Sequence, residues 1–101
     1  MPLVYTQSDA LFDAFDFSGA RTMLKAALHD APTDGKLLWR LARATKEDAE
    51  VDGRPSAEKT AMLREGFGYA AEALKHAPNE SGAHKWYCAR RPPDAAEPRG
   101  L

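Results

Sequence analysis

The sequence predicts an all-α domain built as a stack of helical hairpins. Three observations carry that expectation. Alanine is abundant while Val4 and Val51 are the only valines and isoleucine is absent, and strands favour such branched side chains. Proline, glycine and aspartate leave five intervening segments of helical length. A pattern of small residues also recurs. Ala20, Leu24, Ala27 and Pro32 stand at intervals of four, three and five, and Gly66, Ala70, Ala73 and Pro78 repeat those intervals 46 residues later.

The first segment is expected over about Gln7–Phe15, with Thr6 and Asp9 as a capping box. The second runs from about Ser18 to His29 with Met23, Leu24, Ala27 and Leu28 as its apolar stripe, and Pro32 closes it. The third, about Asp34–Glu50, aligns Leu37, Leu38, Leu41, Ala44 and Thr45 on one face. After the Asp52-Gly53-Arg54-Pro55 loop, the fourth runs from about Ser56 to His76, ahead of Pro78. The fifth starts near Glu80 and stops at Pro92-Pro93. Residues 1–91 form one helical domain in this reading. Residues 92–101 form a disordered Pro/Ala-rich tail without apolar period.

The repeat has a mechanism. Antiparallel helices approach closely where the side chains at their crossing are small, and a proline ends the second helix of each pair. Ala20, Leu24, Ala27, Gly66, Ala70 and Ala73 are therefore structural positions, and Ala42 takes the same part in the third segment. Ser8 and Leu11 in the first segment match Ala42 and Thr45 in the third at an offset of 34 residues. That is the tetratricopeptide period. The larger offset between second helices implies a 12-residue insertion around Val51–Pro55. The expected architecture is a tetratricopeptide-like α-α superhelix of about two and a half hairpins.

Composition bounds the function. The 101 residues are 44% hydrophobic and 29% charged, the balance of one soluble globular domain. A net charge of −1 supplies no global field for nucleic acid or an anionic membrane. One cysteine, Cys88, excludes an intrachain disulfide and a four-cysteine zinc site. The N-terminus has neither a basic region nor an apolar run, and the first twenty residues carry Asp9, Asp13 and Asp16 but no Arg or Lys. No secretory or mitochondrial leader is expected, nor any spanning helix, and the expected location is cytoplasmic.

Candidate chemistry is sparse. His84 and Cys88 have metal-ligand spacing on one helix, but no second pair accompanies them. Cys88 occupies the small slot matching Ala42, which predicts a buried thiol. Gly66-Phe67-Gly68 lies inside a predicted helix, not after a strand, so it is no phosphate loop. Gly68 has no packing explanation and should cost about 1 kcal/mol relative to Ala. No cofactor, metal or catalytic constellation is expected, and the chain reads as a non-enzyme.

The binding candidates lie on the first helices of the hairpins, which line the concave face of such a stack. At about 100° per residue, Lys36, Trp39, Arg43 and Lys46 fall together, opposite the Leu37 face. The matching slots are Tyr5, Asp9 and Phe12 in the first helix and Lys85 in the fifth. Lysine and arginine would pair with the carboxylates of an acidic, extended peptide and Trp39 would supply apolar area. The competing reading is an ordinary solvated charged face with Trp39 packed on a neighbouring helix. A chaperone-type carboxylate clamp is disfavoured, because its asparagines are missing and Asp9 would repel the ligand. Trp86 and Tyr87 are expected against the fourth helix near Tyr69 and Leu74.

Longer strings carry a family resemblance. Leu37-Leu38-Trp39-Arg40-Leu41-Ala42-Arg43-Ala44, Tyr69-Ala70-Ala71-Glu72-Ala73-Leu74 and Ala83-His84-Lys85-Trp86-Tyr87 resemble the regulator of microtubule dynamics protein family. Ala10-Leu11-Phe12-Asp13, Gly19-Ala20 and Leu24 resemble its first hairpin, so the likeness covers about residues 8–88. The resemblance implies a tetratricopeptide-like fold and association with microtubules and spindle poles. For some members it implies lipid binding or membrane-contact tethering. Family members continue into further helical repeats where this chain turns into Arg90-Arg91-Pro92-Pro93, so a truncated form is expected. The leading expectation is a microtubule-associated protein-interaction module with tubulin or microtubules as partner. The alternative is a lipid-binding or organelle-contact tethering adaptor. An uncapped fifth helix would also invite self-association.

Overall fold

The computed structural model describes residues 2–90. Those residues form five α-helices: α1 Pro2–Asp13, α2 Phe17–Asp30, α3 Gly35–Ala49, α4 Ser56–His76 and α5 Ser81–Arg90. The expected 92–101 tail and the stop at Pro92-Pro93 lie outside the described residues.

Local chemistry explains the starts of the first three helices. Asp16 caps α2 by accepting from Gly19 N at 2.9 Å. Asp34 caps α3 by accepting from Lys36 N at 2.9 Å and Leu37 N at 3.3 Å. The expected first helix is displaced. It begins at Pro2, where a fixed φ and a missing N–H suit the first turn, and it ends at Asp13. Thr6 and Asp9 are therefore inside α1, and the expected capping box does not form.

The 12-residue insertion is mostly helix. Relative to the first hairpin, α3 is extended by two residues, the connection by three, and α4 gains a seven-residue N-terminal extension. Arg54 ties that connection down, donating to the Asp48 carbonyl at 3.0 Å and pairing with its carboxylate at 3.0 Å.

Consecutive helices pack as hairpins, and the first helices also touch in series, α1 on α3 and α3 on α5. Leu37, Leu38, Leu41, Ala44 and Thr45 are all buried along α3, which makes it the central helix. Leu24, Leu37 and Leu41 form the heart of the core with Ala20 and Ala44, and each buried leucine contributes about 1.5–3 kcal/mol of transfer free energy. The small slots sit at helix contacts. Ala20, Ala42, Ala70 and Ala73 are buried, and Ala27 is half-buried against the core. Gly66 is buried with Ala42 O and Thr45 Cβ at 3.5 and 3.6 Å from where its Cβ would be, so alanine would also fit there.

Trp86 and Tyr87 pack as expected among Ala70, Phe67, Tyr69 and Leu74. Cys88 does not follow the repeat, because its thiol is exposed. It lies on the side of α5 that no described helix covers, so the small slot buried at Ala42 is open one repeat later.

Candidate functional site

The face of α3 that carries Trp39, Arg43 and Lys46 is an interface with α1 and α5. On the α1 side, three residues at helical spacing, Tyr5, Asp9 and Phe12, meet Arg40 and Arg43. Asp9 accepts from Arg40 Nε at 3.1 Å and Nη2 at 3.3 Å, and from Arg43 Nη2 at 2.6 Å. The Arg40 guanidinium lies 4.8 Å from the Tyr5 ring centre and 4.4 Å from that of Trp39. Arg43 lies 3.9 Å from the Phe12 ring centre and 5.2 Å from that of Trp39. Cations and rings thus alternate along the contact, with one carboxylate serving two guanidiniums.

Tyr5 closes the end of this ladder by donating its hydroxyl proton to Asp34, the cap of α3. Burial and the Asp34 hydrogen bond push the Tyr5 phenol up from 10.0 to about 12.

On the α5 side the chemistry changes. Gly82 sits against the Trp39 indole, where a Cβ would come within 2.5 Å of the ring. Trp86 is buried beside Trp39, with Lys46 Nζ 5.9 Å and Lys85 Nζ 5.3 Å from its ring centre. A cavity of about 300 Å³ opens between α3 and α5, lined by Trp39, Arg43, Glu80, Ser81, Gly82, Lys85 and Trp86. Trp39 Nε1 and Arg43 Nε are buried and find no acceptor among the described residues.

The structure therefore brings together Trp39, Arg43 and Lys85 of the expected site and adds Trp86, Glu80 and Gly82. The other two cations are not among the lining residues. Lys36 is exposed and pairs with Glu80 at 3.0 Å. Lys46, with a side chain only 12% exposed, pairs with Glu47 at 2.7 Å and Glu50 at 2.6 Å. Arg43, 17% exposed, holds Asp9. The stripe is thus largely neutralised from within, by Asp9 of α1, by Glu47 and Glu50 at the end of α3 itself, and by Glu80 in the turn before α5. Lys85 is exposed and forms no described ion pair, which leaves its charge facing solvent at the cavity edge.

A second, larger cleft of about 390 Å³ lies between α2 and α4, lined by Lys25, Leu28, His29, Pro32 and Tyr69. Its polar side is already committed. Glu65 accepts from Tyr69 Oη at 2.6 Å and pairs with Arg21 at 2.9 Å and Lys25 at 3.1 Å. Burial alone would raise the Glu65 carboxyl, but the bonds from Tyr69 and Lys25 and the charge of Arg21 outweigh it and hold it low. Burial and the bond to Glu65 push the Tyr69 phenol up.

The described residues contain no group of three or more potential metal ligands. None of their helices is long and apolar enough to cross a membrane.

Comparison with known proteins places this geometry in context. The family model described as Regulator of microtubule dynamics protein 1-3 matches residues 4–90. A Mus musculus protein named regulator of microtubule dynamics protein 1 is 36% identical over 86 residues, covering 83% of this chain and 27% of the relative. The Bos taurus protein of that name is 33% identical over 84 residues, covering 83% and 26%. The one from Pongo abelii is 41% identical over 54 residues, covering 54% and 17%. The chain spans about a quarter of the length of the first two relatives. No solved structure matches it.

Proposed function

The chain belongs to the regulator of microtubule dynamics protein 1-3 family, and from that premise we propose that it is a non-enzymatic, tetratricopeptide-like interaction module of the cytoplasmic cytoskeleton whose concave groove holds an acidic peptide of the microtubule surface. The observation that carries this reading is the convergence of Trp39, Arg43, Lys85 and Trp86 on one cavity. Two indoles supply apolar area without losing much side-chain freedom, and two cations supply anion recognition. The names of the relatives supply the microtubule, and an acidic tubulin tail is the guest that fits the charge.

Lys85 gives the first contact, because it enters the complex without breaking a described ion pair. Arg43 contributes when a guest carboxylate replaces Asp9 beside it. The buried Nε atoms of Arg43 and Trp39 are donors that would gain from a guest oxygen. Glu80 at the rim, already paired with Lys36, favours a peptide whose charge falls on the Lys85 side. Lipid binding would ask for an apolar cavity, and the groove instead mixes Arg43, Lys85 and Glu80 with its rings. Pairing of a second copy on the open face of α5 would cover Cys88 and is checked by sedimentation velocity.

Cosedimentation with microtubules tests the proposal. Wild-type chain is expected to pellet, and Lys85→Glu to weaken pelleting roughly fivefold. Microtubules stripped of their acidic tails should lose the wild type to the same degree. Equal pelleting of Lys85→Glu and wild type would remove the groove from the account.

A further inference from the structure

The turn between α1 and α2 holds a feature that the groove does not use. Phe15 has φ +63°, and it is the non-glycine residue with positive φ among the described residues. Its amide donates to Phe12 O at 2.9 Å, and the Asp16 amide donates to Leu11 O at 2.9 Å. These are the paired bonds of a helix end whose left-handed position is normally glycine. A bulky side chain there is strained. It is also 81% exposed, so no burial compensates the strain.

Phe15 does not stand alone. Its ring lies 6.0 Å from Phe17 at 89°, and Phe17 lies 5.1 Å from Phe12 at 61°. The three rings form one edge-to-face cluster at the tip of the first hairpin. Asp13 and Asp16, both exposed, flank Phe15 in this turn, and the first twenty residues hold no Arg or Lys. Asp16 uses one oxygen on Gly19 N. On one side of the cluster the molecule already shows what such a ring accepts, since the Arg43 guanidinium sits 3.9 Å from the Phe12 ring centre.

We propose that the Phe12–Phe15–Phe17 turn, rimmed by Asp13 and Asp16, is a docking surface for an arginine-rich segment of a partner protein. A guanidinium stacks on the exposed Phe15 face while a neighbouring cation meets Asp13. The acidic rim repels an anionic bilayer. This surface is opposite in charge preference to the α3–α5 groove, and Asp13, Phe15, Asp16 and Phe17 are not among the residues that line that groove.

The left-handed backbone separates docking from folding. Phe15→Gly removes the ring and relieves the strain together, so the variant is expected to raise Tm by roughly 5 °C. In fluorescence anisotropy with a labelled arginine-rich peptide, it should bind about tenfold more weakly than wild type. Asp13→Lys should weaken binding several-fold with Tm unchanged, while Asp52→Lys, the same charge change in the remote α3–α4 connection, should not. Wild-type affinity in Phe15→Gly, or equal losses in Asp13→Lys and Asp52→Lys, would overturn the proposal. So would Phe15-dependent self-association or Phe15-dependent binding to phosphatidylcholine vesicles, which would assign the turn to a second copy or to lipid.

Discussion

The α1–α3 and α3–α5 contacts use the same slots of one repeat and reach opposite results. Between α1 and α3, Tyr5, Asp9 and Phe12 close over Arg40 and Arg43, and both guanidiniums share the Asp9 carboxylate and stack on rings within the molecule. Between α3 and α5, the slot that held Tyr5 and then Trp39 holds Lys85, and Gly82 lets Trp39 lie flat against the helix. No α5 carboxylate occupies the position that Asp9 takes in α1, so a cavity remains there with a cation at its edge. A solenoid can thus alternate closed and open contacts by changing a few residues per repeat.

The largest effect is expected where the open contact depends on a missing side chain. Gly82→Ala improves helix propensity, yet its Cβ would stand 2.5 Å from the Trp39 ring. We expect a loss of about 1–3 kcal/mol in chemical denaturation. A stability gain there would mean that Trp39 and Gly82 are not in contact.

Next comes the closed contact. Asp9→Ala removes the shared carboxylate from Arg40 and Arg43. Asp9 is more than one-third exposed, so solvent screening reduces the cost to about 1–2 kcal/mol. The same variant frees Arg43 beside the cavity, and its affinity for a glutamate-rich peptide should rise several-fold in calorimetry. Unchanged affinity would separate the two contacts and break the link drawn between them.

A site with no neighbours calibrates both. Nothing lies within 4 Å of where a Gly68 Cβ would be, so Gly68→Ala should stabilise by about 0.5–1 kcal/mol through helix propensity alone. A loss in thermal denaturation would show that α4 makes a contact at that position.

The smallest effects are in pH. The Glu65 carboxyl is held below 4.5, so its contribution is complete above that value and is lost as pH falls through the folded value. Glu65→Gln should flatten the acid limb of a Tm–pH curve. The Tyr5 phenol is raised from 10.0 to about 12. Its contribution is complete below pH 10 and is lost as pH rises through about 12, so Tyr5→Phe should flatten the alkaline limb. Unaltered limbs in the two variants would place these groups in ordinary solvent.

Much of this is legible in the sequence. The bounds of α4 follow from Pro55 and Pro78, and the buried face of α3 follows from its apolar period. The Asp9–Arg43 bond was also within reach, since the two residues are 34 positions apart and hold the same slot in successive first helices. Other features had no such signal. The first helix starts at Pro2, where the expected segment began near Gln7. Phe15 occupies a left-handed position that residue preferences reserve for glycine or asparagine. Gly82 meets Trp39 across 43 residues with no periodicity to connect them, and Cys88 is exposed because no described helix covers the slot that the repeat rule takes as covered.

The two tryptophans of the chain, Trp39 and Trp86, both line the α3–α5 cavity. Intrinsic fluorescence during titration with a glutamate-rich peptide therefore reports on the groove itself. A saturable, salt-sensitive change that is lost in Lys85→Glu is the predicted result. A wild-type signal that does not move, or that moves equally in Lys85→Glu, would contradict the account.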